Sequence, residues 1–237
     1  MIKLPIKNRQ ESYTVNPTKL VALGLNYRAH IKESVSVKVK GFTDEIPTEP
    51  LLFPKTTNVL IGPDQKIVIP RFLKDYGFKN LRTDYEAELA LIIGERCKDV
   101  PVDHALDHVF GYTCMNDVSQ RNLQNGDRTG WYRGKSLDTF GPIGPQVVLA
   151  KDLPDPQHLN ICCRLNGKTV QEGNTSQMIF TIPQIIAFVS KNFTLMPGDI
   201  ILTGTPSGVG PLAHGDLVEV EIEQIGVLKN SVIDETV

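Results

Sequence analysis

The sequence predicts a β-rich α+β domain, and three observations support this prediction. The chain has 237 residues, of which 41% are hydrophobic, which is enough for one sizeable core. Its apolar runs are short and rich in Val, Ile and Leu. The 19 Gly and 16 Pro residues separate these runs along the whole chain. Because such runs bounded by turn residues are typical of strands, strands should outnumber helices.

The predicted strands share short runs of Val, Ile, Leu or Phe, and they cover residues 20–24, 51–53, 66–69, 85–93, 109–116, 161–165, 168–171, 199–203 and 217–222. The pair Asn166-Gly167 predicts a two-residue hairpin turn between the strands on either side of it. One helix is predicted from Thr181, because Pro183 stands early and the apolar residues Ile182, Ile185, Ile186 and Val189 recur at helical spacing.

Charge and composition exclude several classes of protein. The net charge is −2 and there is no basic stripe of the kind that follows a phosphate backbone, so we expect no nucleic-acid partner. Apolar runs are too short for a signal peptide or a membrane span, so we expect a soluble cytoplasmic protein with no membrane partner. The four cysteines have neither Cys-x-x-Cys nor zinc-site spacing, and we expect them to fill core positions.

Two carboxylates, Glu86 and Glu88, lie two residues apart in an apolar strand. Side chains alternate along a strand, so both belong to one face. If that face is buried, a positive group should meet them, whereas on an edge strand the face would simply be wet.

A third carboxylate, Asp117, follows the next apolar strand. Three converging carboxylates form an all-oxygen site suited to magnesium, manganese or calcium rather than zinc. Alternatively, Asp117 caps a helix over residues 118–124.

Several motifs together resemble the fumarylacetoacetate hydrolase superfamily, and they occur in that family's order: residues 84–90 (DYEAELA), 111–119 (GYTCMNDVS) with Arg121 and Gln124, Lys135-Ser136, 173–180 (GNTSQMIF), 197–206 (PGDIILTGTP) and 208–210 (GVG). The resemblance implies a β-rich mixed roll of the fumarylacetoacetate hydrolase C-terminal-domain type, usually a homodimer. It also divides the chain into an N-terminal strand and lid segment, residues 1–50, and a catalytic domain, residues 51–237.

The same resemblance assigns site residues. Glu86, Glu88 and Asp117 would be the metal ligands, normally for Mg²⁺, with Mn²⁺ or Ca²⁺ as substitutes. Lys135 would act beside the metal on a substrate carboxylate or a developing enolate. The substrate-binding residues would be Gln124 and Thr205, at the oxo-acid end of the substrate, and Arg121, which would also brace the metal site.

Near the N-terminus, residues 24–33 (GLNYRAHIKE) resemble the family's strand-to-lid segment. His30 and Glu33 are three residues apart, so on a helix they share a face and Glu33 can orient the imidazole. The resemblance makes them a catalytic pair. Three features depart from the family pattern: the inserted stretch 71–83, Gln177 where relatives often have Asp, and Leu25 where some acylpyruvase-like members have a basic residue.

The resemblance implies a magnesium-dependent hydrolase that cleaves a carbon–carbon bond in a small 2,4-dioxo acid, as acylpyruvases and fumarylpyruvate hydrolases do. The same site could instead decarboxylate oxaloacetate or 5-oxopent-3-ene-1,2,5-tricarboxylate, or isomerise 2-hydroxyhepta-2,4-diene-1,7-dioate. A hypothesis of another class is a carboxylate-binding protein that keeps the fold and the metal but has lost turnover.

Overall fold

A computed structural model describes residues 1–33, 45–126 and 131–236. The strands are β1 (Ile2–Pro5), β2 (Ser12–Val15), β3 (Leu20–Gly24), β4 (Leu51–Lys55), β5 (Leu60–Ile61), β6 (Ile67–Ile69), β7 (Thr83–Tyr85), β8 (Ala87–Ile93), β9 (Val109–Asn116), β10 (Ser119–Gln120), β11 (Gly141–Leu149), β12 (Asn160–Leu165), β13 (Lys168–Asn174), β14 (Ile200–Leu202), β15 (Gly210–Pro211), β16 (Leu217–Ile222) and β17 (Gly226–Asp234). The α-helices are α1 (Arg28–Glu33), α2 (Arg121–Gly126), α3 (Tyr132–Lys135) and α4 (Ile182–Asn192). Short 3-10 helices cover Thr57–Val59, Arg71–Tyr76, Val102–His108, Ala150–Asp152 and Thr175–Gln177.

Two mixed sheets form most of the fold. The larger has seven strands in the order β4-β3-β14-β8-β9-β11-β5, and the other has five in the order β13-β12-β16-β17-β6. Most neighbours are antiparallel, but β3 runs parallel to β14, β5 runs parallel to β11, and β6 runs parallel to β17. Small sheets β10-β7-β15 and β1-β2 complete the architecture. The predicted α+β class and the β-rich mixed roll are confirmed.

Strand β8 is buried at every position, which explains why its residues are all apolar except Glu88. Leu89 and Leu91 pack into the larger hydrophobic cluster, whereas Ala90 and Ile92 pack into a second cluster on the other face. A central strand that is buried on both faces needs no alternation of apolar and polar residues. Charged side chains at the start of this strand are therefore placed in a largely dry environment.

The predicted strands and the α4 helix are confirmed, with one interruption. Glu86 lies between β7 and β8 and not inside a continuous strand. Its N–H donates to the side-chain Oδ1 of Asn116 at 2.9 Å, and its carbonyl accepts from the Asp117 N–H at 2.8 Å. The side chain of Asn116 thus replaces a main-chain partner at this point. The predicted hairpin is also confirmed, since Asn166 and Gly167 have φ values of 52° and 79°.

Sequence patterns missed two long strands, β11 and β17. The first begins with Gly141-Pro142-Ile143-Gly144-Pro145, whose turn-forming residues conceal it, and the second carries the polar run Lys229-Asn230-Ser231. The lid segment expected within residues 1–50 includes residues 34–44, which lie outside the described residues. Among the described helices, none is long and apolar enough to cross a membrane.

Candidate active site

Three carboxylates converge where β8 and β9 lie side by side. Ala87 is paired with Asn116 across these antiparallel strands, so Glu86 and Glu88 flank that pair on one strand and Asp117 follows it on the other. One oxygen from each of Glu86, Glu88 and Asp117 lies within 4.8 Å of the others. All three residues are buried, which rules out the alternative of a wet face on an edge strand.

Among the described residues, three cations contact the cluster, as buried carboxylates require. Lys135 Nζ donates to Glu86 Oε2 at 2.6 Å and to Asp117 Oδ2 at 2.7 Å. Lys55 Nζ donates to Asp117 Oδ1 at 2.6 Å, and Arg121 Nη2 donates to Glu86 Oε1 at 2.5 Å. Asp117 is thus held between two ammonium groups. It does not cap a helix, since α2 begins four residues later at Arg121.

Sequence reasoning missed Lys55, the last residue of β4. Its ammonium is fully buried and also donates to the main-chain carbonyl of Lys135 at 2.5 Å. Lys55 therefore joins the side chain of Asp117 to the backbone that carries Lys135. The available signal was a lysine directly after the apolar run Leu51-Leu52-Phe53-Pro54, because a lysine that is buried at the end of such a run needs an anionic partner.

Arg121 connects the cluster to a second missed residue, Asp84. Its Nε donates to Asp84 Oδ2 at 2.8 Å, and its Nη1 donates to Gln124 Oε1 at 2.9 Å. Asp84 is fully buried and also accepts from Arg82 Nε at 2.7 Å. Arg121 thus contacts Asp84, Glu86 and Gln124 at once.

Burial and the oppositely charged neighbours shift the pKa values of Glu86, Lys55 and Lys135 in opposite directions. Burial alone would raise the pKa of Glu86, but Lys135 and Arg121 hold it well below its ordinary value. Burial lowers the pKa of Lys55, only partly offset by Asp117. For Lys135, burial would also lower the pKa, but Asp117 and Glu86 raise it. The pairing therefore favours the charged forms of Glu86 and Lys135.

Glu88 differs from the other two carboxylates, and this difference fits a divalent cation. Burial, reinforced by Asp117 and Glu86, raises the pKa of Glu88 well above its ordinary value. The Gly204 N–H donates to Glu88 Oε2 at 2.7 Å, whereas Glu86 and Asp117 accept from guanidinium or ammonium groups. A cation bound to all three carboxylates would supply the missing charge, and a donor set made only of carboxylate oxygens suits Mg²⁺, Mn²⁺ or Ca²⁺.

The His30–Glu33 pair lies on α1. His30 Nδ1 is 3.4 Å from Glu33 Oε1, and the same oxygen accepts from the Gly208 N–H at 2.6 Å. Burial would raise the pKa of Glu33, but the hydrogen bonds from His30 and Gly208 lower it. An ionised carboxylate only accepts, so in neutral His30 the proton belongs on Nδ1 and the lone pair on Nε2. The imidazole can therefore accept a proton at Nε2.

One cleft of about 290 Å³ collects most of the predicted residues: His30, Glu86, Glu88, Arg121, Gln124, Lys135 and Thr205, together with Leu23, Gly24, Leu25, Phe53 and Trp131. Glu33 and Asp117 are not part of this lining, but they contact His30 and Lys135 respectively. Thr205 Oγ1 accepts from Gln171 Nε2 at 2.8 Å. Two of the departures from the family pattern, residues 71–83 and Gln177, do not line the cleft. Gln177 Oε1 instead accepts from the Asn174 N–H at 3.0 Å.

Comparison with known proteins agrees with the fold. Residues 19–233 match the family model of the fumarylacetoacetate (FAA) hydrolase C-terminal domain. The chain therefore belongs to the fumarylacetoacetate hydrolase superfamily.

Named relatives in this superfamily are enzymes with different reactions. The chain is 40% identical to human mitochondrial oxaloacetate tautomerase FAHD2A over 98% of this chain and 73% of that protein. It resembles the structure of 5-carboxymethyl-2-hydroxymuconate delta-isomerase from Mycobacterium smegmatis, with 37% identity, a TM-score of 0.79, and coverage of 93% of this chain and 78% of that chain. It also resembles the structure of fumarylpyruvate hydrolase from Pseudomonas aeruginosa in complex with Mn²⁺ and pyruvate, with 28% identity and a TM-score of 0.85. This match covers 99% of this chain and 96% of that chain.

Proposed function

We propose that this chain is a divalent-metal-dependent hydrolase that cleaves a carbon–carbon bond in a 2,4-dioxo acid. The observation that carries the proposal is that His30, oriented by Glu33, lines the same cleft as the buried carboxylate cluster. In this arrangement a base and a metal-bound electrophilic centre would act on one small substrate. The match to fumarylpyruvate hydrolase over 99% of this chain and 96% of that one supports hydrolysis.

Glu86, Glu88 and Asp117 would hold the metal, for which Mg²⁺ is the expected ion. When bound, such an ion acts as a Lewis acid that polarises the 2-oxo group. Gln124 and Thr205 line the cleft beside these ligands and would orient the oxo-acid end by hydrogen bonds. Arg121 would hold Glu86 and Gln124 in place through the contacts already described.

In the proposed reaction, His30 Nε2 takes a proton from water while the oxygen attacks the distal carbonyl carbon. Glu33 stabilises the resulting imidazolium through the contact at Nδ1. The bond between the third and fourth carbons of the substrate then breaks, which releases a carboxylic acid and a pyruvate fragment. Lys135, whose ammonium lines the cleft, would stabilise the negative charge on that fragment until it accepts a proton.

Keto–enol tautomerisation or isomerisation of a 2-oxo diacid is the second candidate. It is favoured by the 40% identity to an oxaloacetate tautomerase and by the likeness to a hydroxymuconate isomerase. This reaction needs His30 only to move a proton to or from carbon. Decarboxylation of oxaloacetate would use the same stabilisation of negative charge by Lys135.

A substrate panel separates these reactions. We expect the protein with Mg²⁺ to convert acylpyruvates to pyruvate and a carboxylic acid, to lose this activity in excess EDTA, and to regain it with Mg²⁺ or Mn²⁺. Oxaloacetate and 2-hydroxyhepta-2,4-diene-1,7-dioate are tested in parallel, and turnover of these alone would favour the second candidate. Full activity in EDTA would contradict the metal assignment. A binding protein without turnover would show a higher Tm with Mg²⁺ and oxalate while every substrate stays intact.

A further inference from the structure

Part of the cleft is apolar, although its floor is charged. Leu23, Leu25, Phe53 and Trp131, here called the apolar wall, line the same space as Lys135 and the carboxylates. The ring of Phe53 marks the boundary, since Lys135 Nζ lies 4.9 Å from its centroid. A substrate bound by its charged end at the cluster would therefore place its other end within reach of these side chains.

Trp131 reaches the apolar wall because residue 24 is glycine. A Cβ atom at Gly24 would lie 2.5 Å from Cζ3 of the indole, well inside contact distance. The indole meets Phe53 edge-to-face, with centroids 5.2 Å apart and planes at 69°. Any side chain at position 24 would therefore require Trp131 to leave this position.

Leu25 belongs to the apolar wall in spite of an unfavourable backbone conformation. Its φ of 57° lies in the left-handed region, which residues other than glycine rarely adopt. The side chain is nevertheless buried and lines the cleft. Such strain is typically retained at binding sites, where the position of the side chain outweighs the conformational cost.

We propose that the apolar wall binds the acyl group of the substrate and selects an alkyl or aromatic group over a second carboxylate. The inference rests on the proposed function, which places the 2-oxo acid end at the carboxylate cluster. Burial of each added methylene should tighten binding about fourfold. A distal carboxylate would lose water against apolar side chains and gain no compensation from them.

The chain contains a single tryptophan, Trp131, so its fluorescence reports directly on this wall. The Mg²⁺-loaded protein is titrated with pyruvate, 2-oxobutanoate, 2-oxopentanoate, 2-oxohexanoate and 2-oxoglutarate. We expect the affinity to rise about fourfold with each methylene and 2-oxohexanoate to bind far more tightly than 2-oxoglutarate. Measured by calorimetry, the ratio of the 2-oxohexanoate to the pyruvate affinity should collapse in Trp131→Ala and fall in Gly24→Ala.

Tyr132→Ala is the matched control, because Tyr132 is the next aromatic residue, is half-exposed and does not line the cleft. It should keep the wild-type ratio. If pyruvate and 2-oxohexanoate bind with equal affinity, or 2-oxoglutarate binds more tightly than 2-oxohexanoate, the inference is overturned while the proposed function stands. If none of the 2-oxo acids binds, both are overturned.

Discussion

Replacement of His30 by alanine should lower the rate of hydrolysis by about 10²–10⁴-fold, the usual contribution of a positioned general base. The structure places the imidazole in the cleft with Nδ1 held by Glu33, which leaves Nε2 to receive the proton. Metal affinity should be retained, because His30 is not among the carboxylate ligands. The rate is measured by pyruvate release under saturating Mg²⁺.

Glu33→Ala should also lower the rate strongly, and the double variant should lose little more than the worse single one, because two residues that act as a unit are not additive. The pKa of Glu33 is lowered, by hydrogen bonds from His30 and Gly208 that outweigh its burial. Glu33 therefore stays ionised at any pH above its ordinary pKa. If activity falls as the pH is lowered through the neutral range, that fall must come from protonation of another group. Strictly additive losses would show that the two residues act separately.

A second histidine–carboxylate pair provides the control. His104 Nδ1 lies 3.3 Å from Asp107 Oδ2, with the same spacing of three residues, but both side chains are about 70% exposed. His104→Ala should leave the rate unchanged. An equal loss in His104→Ala and His30→Ala would show that the effect is not specific to the cleft.

Replacement of Lys135 by methionine should lower turnover by roughly 100-fold or more, the scale of losing one preorganised electrostatic donor. Methionine keeps most of the apolar stem but removes the charge that meets Glu86 and Asp117. Without metal, these two carboxylates would lose a buried partner and the Tm should fall. With Mg²⁺, a large part of that stability should return, and the metal affinity should not decrease.

Lys55→Met is the matched comparison for Lys135→Met. Both lysines are buried and donate to Asp117, but Lys55 does not line the cleft. If Lys135 acts on the substrate, Lys135→Met should reduce kcat far more than Lys55→Met. Equal reductions in kcat would assign both lysines to the support of Asp117 alone.

The sequence predicted the fold class because its strands are short, β-branched and bounded by Gly and Pro. It failed at Glu86, where the side chain of Asn116 interrupts the strand, and at β11, whose first residues are glycine and proline. Local patterns carry no signal for a side chain that replaces a main-chain partner. The family likeness is confirmed over residues 19–233.

At the candidate site, spacing alone placed Glu86 and Glu88 together, but it could not bring Asp117 to them. That contact depends on the register between β8 and β9, which pairs Ala87 with Asn116. Lys55 was missed because it lies 62 residues from Asp117 in sequence and on the edge strand of the seven-stranded sheet. The cations that balance a buried cluster come from distant elements, so their identity is decided by topology.

Direct binding of Mn²⁺, followed by electron paramagnetic resonance with Mg²⁺ as competitor, tests the central claim for the carboxylate cluster. The wild-type protein should bind one Mn²⁺ ion. Glu88→Gln should lower the Mn²⁺ affinity by about 100-fold or more, which exceeds the 10–100-fold loss typical of replacing a residue that contacts only a metal ligand. Because burial raises the pKa of Glu88, glutamine resembles the neutral side chain, and the metal-free Tm should change little. Unaltered Mn²⁺ affinity in Glu88→Gln would contradict the account.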